Sequence, residues 1–358
     1  MHTTPIHINS MKWLHKNLFS SSLNTMLTMA ALYLLWIVVP PAIEWSLLEA
    51  TWVGESRSAC EPNSGACWAF VDARIEQFLY GLYPATERWR VNLAFAILFL
   101  LFIGLFLAGT IKQLKRSWIV TLILIPYPVI ALYLFSGGSF GLVEVETTQW
   151  GGLFLTIVIA GVGIVASFPL GILLALARRS EMRAVRSLAI AFIELIRGVP
   201  LISVLFMASV MLPLFLPEGV NFDKLLRALI GITLFQSAYM AEVVRGGLQA
   251  VPSGQVEAAE SLGLGYWSSM RLIVLPQALK LVIPGVVNTF IALFKDTTLV
   301  MIIGMFDFLG IVQAATTNPK WLGTAVEGYV FCAAVYWIFC FSMSRYSISV
   351  ERKLDTGY

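Results

Sequence analysis

The chain has 358 residues, of which 58% are hydrophobic and only 13% charged, whereas a soluble domain carries roughly a quarter charged residues. Its 24 basic and 21 acidic residues leave a net charge of +3, too small and scattered to follow a phosphate backbone. A soluble globular enzyme, a disordered chain and a nucleic-acid binder are thereby excluded.

The charges are unevenly spread. Residues 17–43, 91–111, 117–143 and 147–177 contain no Asp, Glu, Lys or Arg, and each run exceeds the ~20 residues a helix needs to cross ~30 Å of hydrocarbon. The chain is expected to be an all-α polytopic membrane protein. No small-x-small cleavage pattern follows the first run, which ends on Pro40-Pro41 and Glu44-Trp45, so it reads as a retained helix. The next segment, about 46–90, reads as an outside loop and holds Cys60 and Cys67; these form either a bridge in an oxidising compartment or two free thiols. Gly137-Gly138-Ser139-Phe140-Gly141 fits the serine-hydrolase elbow G-x-S-x-G, but no strand pattern precedes it. The three histidines (His2, His7, His15) all precede the first apolar run, so the elbow lacks a base and no metal site is expected.

Four further spans are less clean. Residues 187–216 are interrupted by Glu194 and Arg197, and 228–244 carry Glu242. Residues 281–304 are split by Lys295-Asp296, and 328–344 contain Cys332 and Cys340, most simply small core residues. About eight transmembrane helices result. Lys12 and Lys16, Lys112 to Arg116, Arg178 to Arg186, and Arg345 to Lys353 cluster on one side, which places both termini in the cytoplasm by the positive-inside rule.

The inside loop at about 245–280 has a different texture. Pro252-Ser253 is a helix-start signal, Gly263 and Gly265 end that helix, a second short helix is expected over 266–273, and Pro276 is expected to break the chain. Two short helices with a glycine bend form a knob suited to a groove on another protein. The spacing Glu257-Ala258-Ala259, Gly263, Ile273 and Leu275-Pro276 resembles the EAA loop of bacterial ABC-importer permeases. Three more segments resemble the polar amino-acid branch of that family. They are Glu194-Leu-Ile-Arg197-Gly198-Val199-Pro200-Leu201, Ser237-Ala238-Tyr239-Met240-Ala241-Glu242 followed by Arg245-Gly246-Gly247, and Lys295-Asp296-Thr297-Thr298-Leu299. Val199 stands where the family usually has Thr, and Thr298 where it has Ser.

The resemblance covers about 147–353 and implies a five-helix type I importer core with a cytoplasmic coupling loop. Residues 1–146 form an N-terminal extension with three helices, a layout similar to the larger permease subunit of general L-amino-acid importers. The family further implies an inner-membrane heterodimer with a second homologous permease, a cytoplasmic ATPase dimer that uses ATP and Mg, a periplasmic binding protein, and L-amino acids as substrates. Gly-Lys never occurs in this chain, so it has no P-loop of its own; no catalytic residue and no cofactor bound by this chain are expected. Glu257 is expected to pair with a base on the ATPase while Ala258 and Ala259 permit close approach.

Ionisable groups at membrane depth are costly and need an account. A helix from 281 to 294 spans about 21 Å, which puts Lys295 and Asp296 within the hydrocarbon layer. Lys295, Asp296, Thr297 and Thr298 either line the pathway and meet a zwitterionic substrate, or Lys295 and Asp296 form structural ion pairs. For Glu194, Arg197, Glu242 and Arg245 the structural reading is favoured, each arginine pairing with the acid one helical turn before it. A proton- or ion-coupled secondary transporter acting alone is the alternative, resting on Asp296 and Glu242 as a carboxylate relay.

Overall fold

The computed structural model describes residues 10–61, 65–108, 115–139, 141–215, 217 and 222–354. Among these every regular element is helical. In chain order they are α1 (Ser10–Leu18), α2 (Ser22–Ile43), α3 (Ala69–Tyr80), α4 (Arg88–Leu107), α5 (Arg116–Leu124), α6 (Pro126–Ser136), α7 (Gly152–Arg178) and α8 (Arg183–Gly198). There follow α9 (Leu201–Phe206), α10 (Lys224–Ala250), α11 (Ser253–Ser261), α12 (Tyr266–Ser269), α13 (Leu275–Leu281), α14 (Ile283–Asp296), α15 (Phe308–Thr316) and α16 (Ala325–Leu354).

Among the described residues six stretches are long and apolar enough to cross a membrane: Ser22–Leu48, Ala85–Leu107, Arg116–Ser136, Gly152–Arg178, Ile283–Ile303 and Ala325–Lys353. At 27 residues, about 40 Å, α10 is as long as these spans but is not among them. The crossing expected over 187–216 is not one straight helix, because α8 and the helical run Leu201–Phe215 meet at 105°. Pro200 disfavours the α region at the residue before it, and Val199 is extended (φ −112°, ψ 137°). α8 is amphipathic: it buries Ala189 and Ile193 and leaves Leu188 and Leu195 exposed.

The chain divides into two compact units, the first of Met1–Ala73 with Asn318–Glu327, the second of Arg74–Thr317 with Gly328–Tyr358. In the first, Cys60 and Cys67 are joined by a disulfide. The Cys67 N–H donates to Glu327 Oε1 at 3.0 Å, Arg57 Nη1 donates to the Gly323 carbonyl at 2.9 Å, and Phe70 packs on Trp321 with ring centroids 5.7 Å apart. α2 buries none of its side chains.

In the second unit α7 and α10 pack lengthwise. α7 turns Thr156, Ala160, Gly163, Ser167, Gly171 and Ala175 inward, small residues spaced so that the backbones approach closely, as membrane helices require where no hydrophobic force drives them together. A Cβ at Gly171 would lie 2.5 Å from Met240 Cγ, so α10 occupies the space that glycine leaves. Two apolar clusters flank this pair. One joins α4, α6 and α7 through Phe135, Trp150 and Phe154. The other gathers Ala175, Ile193, Met240 and Val244 with Met270, Val274 and Ala278 from the chain after α11.

Candidate functional site

The segment after α10 is rooted in the second cluster and exposed at its tip. Pro252 (φ −59°, ψ 140°) precedes α11, which runs through Glu257, Ala258 and Ala259. Ala259 is buried, whereas Glu257 and Ala258 face outward. Gly263 ends the helix with φ +77°, a conformation L side chains adopt only at a cost, and its N–H donates to the Glu260 carbonyl at 2.8 Å. The chain turns at Gly265 into α12. Leu262, Tyr266, Trp267 and Leu272 stand out from it, Trp267 at 72% exposure, with the Tyr266 and Trp267 rings edge to face and their centroids 5.3 Å apart. Such an apolar tip beside an exposed carboxylate has the composition of a docking surface.

Pro276 does not break the chain. A π-turn over Met270–Val274 widens the helix, the Leu275 N–H bonds to the Met270 carbonyl, and α13 continues with Pro276 in its first turn, where a missing N–H costs nothing. Ile273 is half-buried and Val274 buried, so Ile273, Leu275 and Pro276 lie where the tip meets the core. The interruption comes at Val282, before Pro284 opens α14. Gln277 Nε2 donates to Gln255 Oε1 at 3.1 Å and ties α13 to α11, so tip and root are held together.

A second polar group lies where α7, α8 and α10 converge. Glu242 Oε1 accepts from Arg178 Nη1 at 2.8 Å, and Oε2 accepts from Arg245 Nη2 at 2.7 Å. Arg197 reaches Glu242 at 3.6 Å and stacks over the Tyr239 ring at 5.5 Å. Glu194 pairs at 3.0 Å with Arg178, and not with Arg197 one turn away on its own helix. Three helices are thus joined by one carboxylate hub. Arg178 is the member that sequence reasoning missed; its signal was being the first charge after a long apolar helix.

Lys295 and Asp296 close α14, and the span continues as a 3-10 turn over Thr297–Ile303. Lys295 is exposed, Asp296 half-buried and Thr297 buried, with Thr297 Oγ1 donating to the Phe294 carbonyl at 2.9 Å and Thr298 Oγ1 to the Lys295 carbonyl at 2.9 Å. Among the described residues neither Lys295 nor Asp296 forms an ion pair. The change from α-helix to 3-10 turn falls at the charged pair. No three of His, Cys, Asp and Glu are grouped as metal ligands among the described residues.

Residues 167–355 match the family described as the binding-protein-dependent transport system inner membrane component. The chain belongs to that family. The inner membrane amino-acid ABC transporter permease protein YhdY of Escherichia coli K12 is 58% identical over 97% of this chain and 94% of its own length. The glutamate/glutamine/aspartate/asparagine transport system permease protein BztC of Rhodobacter capsulatus is 42% identical over 98% of this chain and 95% of its own. The glutamate/aspartate import permease protein GltK of Escherichia coli O6:H1 is 33% identical, over 56% of this chain and 91% of its own. A crystal structure of an amino acid ABC transporter with histidines is 31% identical, with a TM-score of 0.49, over 56% of this chain and 92% of that chain. The protein is a multi-pass permease subunit of an ABC transporter, not an enzyme.

Proposed function

We propose that this permease forms half of the translocation pathway of an ATP-driven importer of L-amino acids and takes up the ATPase stroke through Glu257–Pro276. The observation that carries this is the exposed tip of Leu262, Tyr266, Trp267 and Leu272 beside Glu257, joined rigidly to the buried Met270, Val274 and Ala278 that pack with α7, α8 and α10. A force on the tip moves those helices as a body, and alternating access follows from rocking the 147–353 core. The names of its relatives support amino acids as cargo and the bacterial inner membrane as the site. The partners are a second, homologous permease, a cytoplasmic ATPase dimer holding ATP and Mg, and a periplasmic binding protein. Both termini face the cytoplasm, and residues 1–146 extend the core on its N-terminal side.

Lys295, Asp296, Thr297 and Thr298 line the pathway. A zwitterion needs both charge signs close together, and the absence of an ion pair at Lys295 and Asp296 among the described residues supports this over a structural role. The test is uptake of radiolabelled L-glutamine into proteoliposomes holding the assembled complex and its binding protein. Uptake should require ATP, with a P-loop ATPase and a second permease co-purifying. Import by this chain without nucleotide would establish the secondary-transporter alternative instead.

A further inference from the structure

Asp307 is fully buried, yet it belongs neither to the coupling tip nor to the arginine hub. It follows the Ile283–Ile303 span and caps α15: Oδ1 accepts the Gly310 N–H at 3.0 Å and Oδ2 the Leu309 N–H at 3.3 Å. Two backbone bonds suffice for a cap. Asp307 Oδ2 nevertheless takes a third, from the Tyr336 hydroxyl on α16 at 3.1 Å. That hydroxyl also faces the side chains of Thr156 on α7 and Thr297. Thr156 Oγ1 in turn accepts the Phe308 N–H at 3.0 Å, so α7 is joined to the first turn of α15.

The Tyr336 ring lies edge-on to Phe294, with centroids 5.4 Å apart. Phe294 and Thr297 are the residues on either side of Lys295-Asp296, so a single side chain brackets the charged pair from both ends. Phenylalanine would fill the same space without a buried hydroxyl that must be satisfied. What the oxygen adds is the bond to Asp307 at the start of α15, while the ring that carries it packs on Phe294 at the end of α14.

We propose that Asp307 and Tyr336 are positioning residues for transport: they hold the joint at Asp296–Thr297 so that Lys295 and Asp296 are presented to the substrate, and they carry movement of α16 against α7 to that pair. This rests on the reading of Lys295 and Asp296 as pathway residues. Neither Asp307 nor Tyr336 needs to touch the cargo.

The experiment uses the assembled importer in proteoliposomes, radiolabelled L-glutamine, and the variants Tyr336→Phe, Asp307→Asn and Asp296→Asn, each checked by thermal denaturation. Tyr336→Phe should raise the KM for glutamine at least fivefold with kcat within twofold. Asp307→Asn, whose amide supplies one acceptor oxygen where the carboxylate supplies two, should raise the KM in the same direction as Tyr336→Phe, with kcat within twofold. A Tyr336→Phe variant that loses kcat and thermal stability at constant KM has lost only structure, and the positioning role is overturned. The role is equally overturned if Asp296→Asn changes KM and Tyr336→Phe does not, while the pathway reading stands. If Asp296→Asn also leaves uptake unchanged, both fall together.

Discussion

At Glu242 one carboxylate meets Arg178, Arg197 and Arg245, so removing its charge leaves three cations at neighbouring helix ends with only Glu194 beside them. Exposed ion pairs contribute at most about 1 kcal/mol, whereas breaking a fully buried pair costs about 3–5 kcal/mol. Glu242 is 15% exposed and lies between these cases. Glu242→Gln is therefore expected to cost about 2 kcal/mol and to lower the melting temperature of the purified importer by several degrees. Glu194, 56% exposed with one partner, should give a change near the detection limit when replaced by Gln. Equal shifts for the two would show that the hub is not organised around Glu242. The tip obeys different physics. A Cβ at Gly263 would meet nothing within 4 Å, so its substitution strains only the backbone, by about 1 kcal/mol. Gly263→Asp and Glu257→Lys should leave the membrane fold intact and cut ATP-coupled uptake at least tenfold, through altered charge on the docking surface. Wild-type co-purification and uptake in both variants would refute the coupling role. The residues of the tip were legible because their spacing lies in one local stretch. Arg178 and Asp307 were not, since their partners lie 64 and 29 residues away and only folding brings them together.

Elements were legible where one physical signal dominates. Charge-free runs gave the spans of α2, α4, α7 and the α5–α6 pair to within seven residues at each end. Pro276 misled where Pro200 did not, because a proline's effect depends on the turn around it. At Pro200 the extended Val199 makes a 105° bend, while at Pro276 a π-turn absorbs the ring and the helix runs on. The segment about 46–90 read as a loop, and nothing in its sequence pointed to Asn318–Glu327. The structure makes these one unit through Cys67 with Glu327, Arg57 with Gly323 and Phe70 with Trp321. Closing the short loop between Cys60 and Cys67 constrains the unfolded chain by about 2–3 kcal/mol. Reduction, or the double variant C60S/C67S, should therefore loosen both segments at once. Limited trypsin digestion reads this directly, with cleavage rising at Arg57 and at Lys320 together. Faster cutting at Arg57 alone would mean that the later segment is held independently.

For the whole molecule, orientation and function are one question, because a coupling surface on the wrong face of the membrane could never meet ATP. Arg178, Arg179, Arg183 and Arg186 surround the junction of α7 and α8, and Arg345, Arg352 and Lys353 close α16. Lysine and arginine near the ends of short loops stay on the cytoplasmic side, and acidic residues contribute little to that choice. By that rule the α7–α8 junction and the end of α16 are expected on the cytoplasmic face, and a bond such as Cys60–Cys67 persists in an oxidising compartment. A green fluorescent protein fused after Tyr358 should fluoresce, and alkaline phosphatase fused there should be inactive. The phosphatase inserted next to Glu61 should be active. The reverse pattern would place Glu257 and Trp267 outside the cell, away from any ATPase, and would defeat the coupling proposal without a transport measurement.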